Sequence, residues 1–171
     1  GHALCVLNDD LLRDPSRLLP ELATLKIRRI CMVPSLLATW LEIYPSLSRV
    51  VPALQLWVVS GEALTVSLCE RFRIAMPEAH LINQYGLTES CADITTFDTW
   101  GWTAPPDYGS HYVPVGKPFE GTSMVVVDAG QQPLPDGQAG ELCIAGLSLC
   151  NGYLNRPDQE GQRFVSLNIE G

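Results

Sequence analysis

Leu54-Gln55-Leu56-Trp57-Val58-Val59 is a near-continuous apolar run, and Ser60-Gly61-Glu62-Ala63 follows it directly. A strand buried on both faces of a parallel sheet has this composition. Thr65 stands where it can cap a following helix, with Leu68, Phe72 and Ile74 expected on its inner side and an end before Pro77. The next short strand is read at His80 to Asn83.

Working back toward the N-terminus, the same alternation recurs. Ile30 to Val33 is a short apolar strand stopped by Pro34, and Ser35 is placed to cap a helix through Leu36, Leu37, Trp40 and Leu41 toward Tyr44-Pro45. Asp14-Pro15 opens an earlier helix, Asp as cap and Pro at the first helical position, with Leu18, Leu19, Leu22 and Leu25 at helical spacing. Before it runs Ala3-Leu4-Cys5-Val6-Leu7. This β-α-β-α-β-α-β order predicts an α/β fold, a helix-covered, mainly parallel sheet over about residues 1–95. Such sheets bind ligands at the carboxyl ends of their strands, which singles out the loops Ser60–Ala63 and Gln84–Glu89.

Beyond about residue 95 the character changes. Trp100 to Tyr112 is a Gly-, Pro- and aromatic-rich loop. Short β patterns follow at Ser123 to Asp128, Pro133 to Gly137 and Glu141 to Ala145, with a turn at Ala129-Gly130-Gln131. They predict a β-rich antiparallel subdomain over 96–171.

The chain has 171 residues, 46% hydrophobic and 18% charged, enough to bury a core and too apolar for intrinsic disorder. Eleven basic residues against 19 acidic give a net charge of −8, which argues against nucleic acid as the main partner. No apolar run reaches membrane-spanning length, so no membrane partner is expected. The six cysteines form no Cys-x-x-Cys pair, and no His lies at zinc-ligand spacing from them, so reduced, buried cysteine and a cytoplasmic location are expected. Both ends, Gly1 and Gly171, read as cuts in a longer sequence.

Residue types then suggest chemistry. In Asn83-Gln84-Tyr85-Gly86-Leu87-Thr88-Glu89, Asn83 can meet a base edge, Tyr85 offers a flat face, Gly86 permits close backbone approach, Thr88 offers a hydroxyl to a phosphate, and Glu89 offers a carboxylate to a hard cation. A plain strand-to-turn segment also contains Asn, Gly and Thr. Likewise Gly140 to Gly146, continuing through Gly152 to Pro157, reads physically as a structural hairpin and turn.

In order along the chain stand Ser60-Gly61-Glu62-Ala63-Leu64, Asn83-Gln84-Tyr85-Gly86-Leu87-Thr88-Glu89, Val115-Gly116-Lys117-Pro118, Gly140-Glu141-Leu142 and Gly152-Tyr153-Leu154-Asn155-Arg156-Pro157, preceded by Pro34-Ser35-Leu36-Leu37. With these segments the chain resembles the adenylate-forming, AMP-binding superfamily, and within it the amino-acid adenylation domains of non-ribosomal peptide synthetases. The resemblance covers essentially all residues and implies that 1–171 is the central part of an adenylation domain. The implied activity is that of an ATP-dependent ligase of secondary metabolism. It would join an amino acid to AMP and pass it to a phosphopantetheine thiol on a carrier protein, with ATP and Mg²⁺ as cofactors and other synthetase domains as partners. Acyl-CoA or aryl-acid ligases share the core motif, and a non-catalytic module keeping the fold is a further alternative.

The resemblance also implies roles. Tyr85 would stack on adenine and Asn83 meet its edge, with Gly61, Glu62, Ala63 and Gly86 against the nucleotide. Thr88 would bond the α-phosphate and Glu89 would ligate Mg²⁺. Met32, Val58, Ser60, Gln84, Ala92 and Asp93 would line the substrate pocket, whose polar members suggest a small polar or hydroxylated substrate. Leu87, Ser148 and Asn151 depart from the family's usual Pro, Gly and Arg. The family's phosphate loop, amino-group aspartate, ribose-binding Asp and catalytic Lys have no match here, and neither lysine, Lys26 or Lys117, fits the last role. The segment alone is expected to hold adenine weakly and not to catalyse.

Overall fold

A computed structural model describes residues 3–167; the two ends, Gly1 and Gly171, lie outside the described residues. The elements run α1 (Asp9–Leu12), α2 (Pro15–Thr24), β1 (Arg29–Met32), α3 (Pro34–Ile43), α4 (Leu47–Val50), β2 (Leu56–Val59), α5 (Val66–Ala75), β3 (His80–Leu87), β4 (Ala92–Asp98), β5 (Lys117–Pro118), β6 (Thr122–Val127), β7 (Glu141–Gly146) and α6 (Pro157–Arg163). The order within the main sheet is β1-β2-β3-β4-β5, and β6-β7 form a separate sheet. The result is the expected α/β portion with a mixed sheet, joined to an antiparallel β-rich portion. Two compact units result, one ending at Gln84 and resuming over Phe97–Gly116, the other formed by Tyr85–Thr96 and the chain from Lys117 onward.

In the first unit, β1, β2 and β3 pair in parallel with Met32 opposite Val59 and Val59 opposite Asn83. The helix starts follow from local chemistry. Asp14 accepts a hydrogen bond from the Ser16 N–H, Pro15 begins α2, and the Thr65 hydroxyl accepts from the Leu68 N–H at 3.2 Å to begin α5. Leu18, Leu19 and Leu22 are buried, and so are Leu68, Cys69, Phe72 and Ala75. At the centre sits Trp57, fully buried, edge-on to Trp40 at 6.0 Å and to Phe72 at 5.5 Å, its indole N–H donating to the Leu54 carbonyl at 3.0 Å. Burying such large rings removes more apolar surface from water than any aliphatic contact here.

The details depart from expectation in several places. Residues 3–7 form no strand, and Leu4 and Val6 are about nine-tenths exposed, so β1 to β3 make a parallel set of three. Ser35 does not cap α3: Pro34 already occupies the first helical turn and the cap is Val33. Ile74 is 81% exposed because its place in α5 falls opposite the Leu68–Phe72 stripe. Among the cysteines only Cys69 is buried; Cys5, Cys31 and Cys91 are exposed, and no disulfide joins any of the six.

The loop after β4 returns to the start of α5, where Val66 N–H donates to His111 and Val113 N–H donates to Leu64. In the second unit β6 and β7 pair antiparallel from Thr122–Gly146 to Val127–Glu141. The turn beyond β6 is built by the Asp128 carboxylate, which accepts from the N–H groups of Gly130 and Gln132. The expected β pattern at Pro133 is reduced to a single bridge with Val127.

Candidate functional site

The carboxyl ends of β1, β2 and β3 carry the first group of expected residues. Just beyond β2, Gly61, Glu62 and Ala63 are exposed, with Gly61 at φ +84°. The Glu62 side chain turns back on α3: its two carboxylate oxygens accept from the Ser35 N–H and the Ser35 hydroxyl, each at 2.9 Å. A free N–H in the first helical turn is thereby satisfied by an anion, a favourable partner for a helix start. Ser35 therefore anchors the Ser60–Ala63 loop, and that loop presents its backbone.

Strand register sorts the expected pocket residues. Cys31, Val58 and Ile82 stand opposite one another across β1, β2 and β3. Side chains two apart along a strand share a face, so Ser60 and Gln84 continue that row. Met32 stands instead in the neighbouring row with Val59 and Asn83, and these three are exposed by only 8%, 0% and 4%. Met32 is thus core packing, and Cys31 is the β1 side chain on the face of Val58. A four-residue strand whose last three residues, Ile30–Met32, are all apolar carries no alternation from which this could be read. Asn83, expected at a base edge, is buried, and its amide donates to the Pro114 carbonyl at 2.9 Å, tying down the loop after β4.

The second unit holds the other group. Tyr85 and Gly86 are half-buried at the end of β3, and Thr88, exposed, opens a tight turn over Thr88–Ser90. The fully buried Ser90 hydroxyl holds this turn. It accepts from the Leu87 N–H at 3.1 Å and lies 3.0 and 3.2 Å from the carbonyls of Leu87 and Ala92. Cys91 and Ala92 then adopt left-handed conformations, φ +58° and +89°. The chain doubles back so tightly that a Cβ on Gly86 would lie 1.7 Å from the Ala92 carbonyl oxygen and 2.6 Å from the Asp93 Cα. Only glycine admits this approach. It brings Ala92 and Asp93 against Gly86, and Asp93 is itself engaged in an interaction.

Glu89 is held from the far end of the unit. Its carbonyl accepts from the Cys150 N–H at 2.8 Å, and its carboxylate accepts a hydrogen bond from the Tyr153 hydroxyl. That phenol, first, and the Arg163 charge, more weakly, hold Glu89 below the usual carboxylate range, and the carboxylate in turn pushes the Tyr153 phenol up. The Tyr153 ring packs edge-on against Phe164 at 5.5 Å. The segment Gly152 to Pro157 carries no local sign of this contact, because the partner of Tyr153 lies 64 residues away.

Among the described residues no group of three or more His, Cys, Asp or Glu is placed to hold a metal. A single carboxylate still suits Mg²⁺, which is commonly bound through one or two carboxylates plus substrate phosphates and waters. Glu89 meets that requirement. The first unit exposes backbone at its strand ends, and the second carries a flat aromatic ring at Tyr85, the Thr88 hydroxyl and the anchored Glu89 carboxylate.

Comparisons with known proteins place the chain among related sequences and folds. The family model described as "AMP-binding enzyme" matches residues 1–154. The chain is 36% identical over 172 residues to the beta-alanyl-bioamine nonribosomal peptide synthetase ebony of Drosophila melanogaster, covering 96% of this chain and 19% of that protein. It is similar in structure to the N-terminal subdomain of NpsA from Klebsiella oxytoca in complex with 3-hydroxybenzoyl-AMSN, with TM-score 0.73, 25% identity, and coverage of 92% of this chain and 38% of that one. The same scores, with 28% of the other chain covered, relate it to NpsA–ThdA, an artificially fused adenylation–PCP di-domain from Klebsiella oxytoca. The chain thus spans well under half the length of these relatives.

Proposed function

The chain belongs to the AMP-binding enzyme family, and from that premise we propose that residues 1–171 are the central part of an adenylation domain, an α/β portion over 1–95 and a loop and β-rich portion over 96–171. The whole protein would act as an ATP-dependent ligase that joins an amino acid to AMP. The substrate carboxylate attacks the α-phosphorus of ATP, pyrophosphate departs, and the acyl group then passes to a carrier-protein phosphopantetheine thiol with loss of AMP. The observation that carries this reading is the turn after β3. There Tyr85 lies near the end of β3, Gly86 admits the Ala92 backbone, and Thr88 and Glu89 follow the strand within one tight turn.

In this reading Tyr85 stacks on adenine, with Gly61, Glu62 and Ala63 meeting the nucleotide through backbone and Gly86 giving it room. The Thr88 hydroxyl bonds the α-phosphate, and Asn83 supports the site through Pro114. Glu89 would hold Mg²⁺, which when bound offsets the phosphate charge. Most of the acceleration comes from positioning and charge stabilisation. The substrate side chain would lie against Val58, Ser60, Gln84, Ala92 and Asp93, with Cys31 replacing Met32, a lining suited to a small polar or hydroxylated group. The similarity to a carrier-fused relative supports carrier-protein and synthetase-domain partners. A cytoplasmic setting and a role in secondary metabolism accompany the reading. No helix among the described residues is long and apolar enough to cross a membrane.

The similarity to a subdomain bound to a hydroxybenzoyl ligand favours one second reading, an aryl-acid ligase of the same superfamily. The test is substrate-dependent ATP–pyrophosphate exchange by the full-length protein across amino and aryl acids. Exchange with an amino acid supports the first reading, and exchange with aryl acids alone replaces it by the second. No exchange with any acid supports a non-catalytic module.

A further inference from the structure

We propose that Tyr153 is a positioning residue for Glu89: its phenol hydrogen bond fixes the carboxylate so that the second oxygen is presented to a divalent cation. This rests on the reading of Glu89 as the Mg²⁺ ligand. Three observations carry it. The bond from the Tyr153 hydroxyl reaches one oxygen of the Glu89 carboxylate, Oε1. The Glu89 backbone is fastened to the same segment by the Cys150 N–H at 2.8 Å. The Tyr153 ring is braced edge-on against Phe164 at 5.5 Å and 74°, so the donor is itself held. A glutamate in a half-exposed turn otherwise samples several rotamers, and ordering it costs free energy when the cation arrives.

The choice of donor matters. A phenol is neutral, so it orients the carboxylate without cancelling the charge that attracts the cation, as a lysine or arginine in its place would. Hydrogen-bond partners of metal ligands act in this way, and their loss weakens metal affinity without removing the ligand. The side chain that makes the bond lies in the segment Gly152–Pro157, whose sequence otherwise reads as a plain turn.

The test uses the full-length protein loaded with a non-hydrolysable ATP analogue, with Mn²⁺ as the probe titrated by electron paramagnetic resonance. Tyr153→Phe keeps the ring against Phe164 and removes the hydroxyl, and Tyr153→Ala removes both. Tyr153→Phe is expected to weaken Mn²⁺ binding by about tenfold, the lower end of what loss of such a partner does. Its KM for the carboxylic acid stays at the wild-type value, and its Tm falls by less than that of Tyr153→Ala. Tyr153→Ala shows the same loss of Mn²⁺ affinity and, in addition, the larger fall in Tm. Glu89→Gln supplies the reference. If Glu89→Gln weakens Mn²⁺ binding but Tyr153→Phe binds as wild type does, the positioning role is overturned and the Glu89 reading stands. If Glu89→Gln also binds as wild type does, both are overturned.

Discussion

Replacing Gly86 by alanine puts a methyl where the backbone of β4 already runs. Its Cβ would stand 1.7 Å from the Ala92 carbonyl oxygen, 2.4 Å from the Ala92 carbonyl carbon and 2.6 Å from the Asp93 Cα. Real Cβ atoms stay at least 3.0 Å from such neighbours, so the two segments must part by more than 1 Å. The obstacle is backbone, which cannot rotate aside as a side chain can. The neighbouring turn is also poor at yielding, since Cys91 and Ala92 already hold left-handed conformations and the Ser90 hydroxyl is committed within it. Overpacking costs about 1–3 kcal/mol, and this case belongs at the upper end. At about 2–4 °C per kcal/mol for 150–250 residues, and less for a longer whole domain, Tm should fall by up to about 6–12 °C. Gly61→Ala is the matched comparison. Its Cβ has room, with Val33 Cγ1 at 3.7 Å, but φ is +84°, so only conformational strain of about 1–2 kcal/mol applies. Scanning calorimetry of the full-length protein would show the larger shift for Gly86→Ala. A Gly86→Ala protein that melts with wild type, or above Gly61→Ala, would refute the close approach.

Other substitutions probe other contacts. Glu62→Ala leaves the Ser35 N–H without its acceptor at the start of α3 and should cost about 1–2 kcal/mol, measurable as a lower Tm; an unchanged Tm would place that carboxylate elsewhere in solution. The Ser16 hydroxyl lowers the Asp14 pKa below its ordinary 3.8, so this carboxylate stabilises the fold above the ordinary value and the effect fades as pH falls through the lowered one. Wild type should therefore lose its Tm advantage over Asp14→Ala in that acid window, and a difference independent of pH would contradict it. Burial, with Glu141 nearby, raises the Cys143 thiol, so at mildly alkaline pH iodoacetamide should label Cys143 after the exposed Cys91, as read by peptide mass spectrometry. Glu89→Ala should lower ATP–pyrophosphate exchange by about a hundredfold, the scale of losing one electrostatic contact to a transition state; undiminished exchange would remove Glu89 from the site.

Much of the fold was legible because its signals are local. Asp14-Pro15 and Thr65 begin helices through their own side chains, and the apolar run through Trp57 and Val59 becomes β2. What was not legible depends on neighbours distant in sequence. Ala3–Leu7 has a strand's composition but finds no strand to pair with among the described residues. Met32 and Cys31 are both apolar in a four-residue strand, and only register with Val59 and Val58 separates their faces. Ser35 has a cap's chemistry, yet Pro34 had already set the helix start and the hydroxyl went to Glu62. Of the candidate site, the order of Tyr85, Gly86, Thr88 and Glu89 was plain in the sequence, while the hold of Tyr153 on Glu89 is a tertiary contact.

The central claim is that the turn after β3 receives an adenylate. A crystal structure of the full-length protein with a non-hydrolysable aminoacyl-adenylate analogue and Mg²⁺ tests it most directly. The expected result is the adenine ring stacked on Tyr85, the Thr88 hydroxyl within hydrogen-bond distance of the α-phosphate mimic, and the cation on Glu89. An analogue bound elsewhere, with the Tyr85 face uncovered and Glu89 away from the cation, would contradict it.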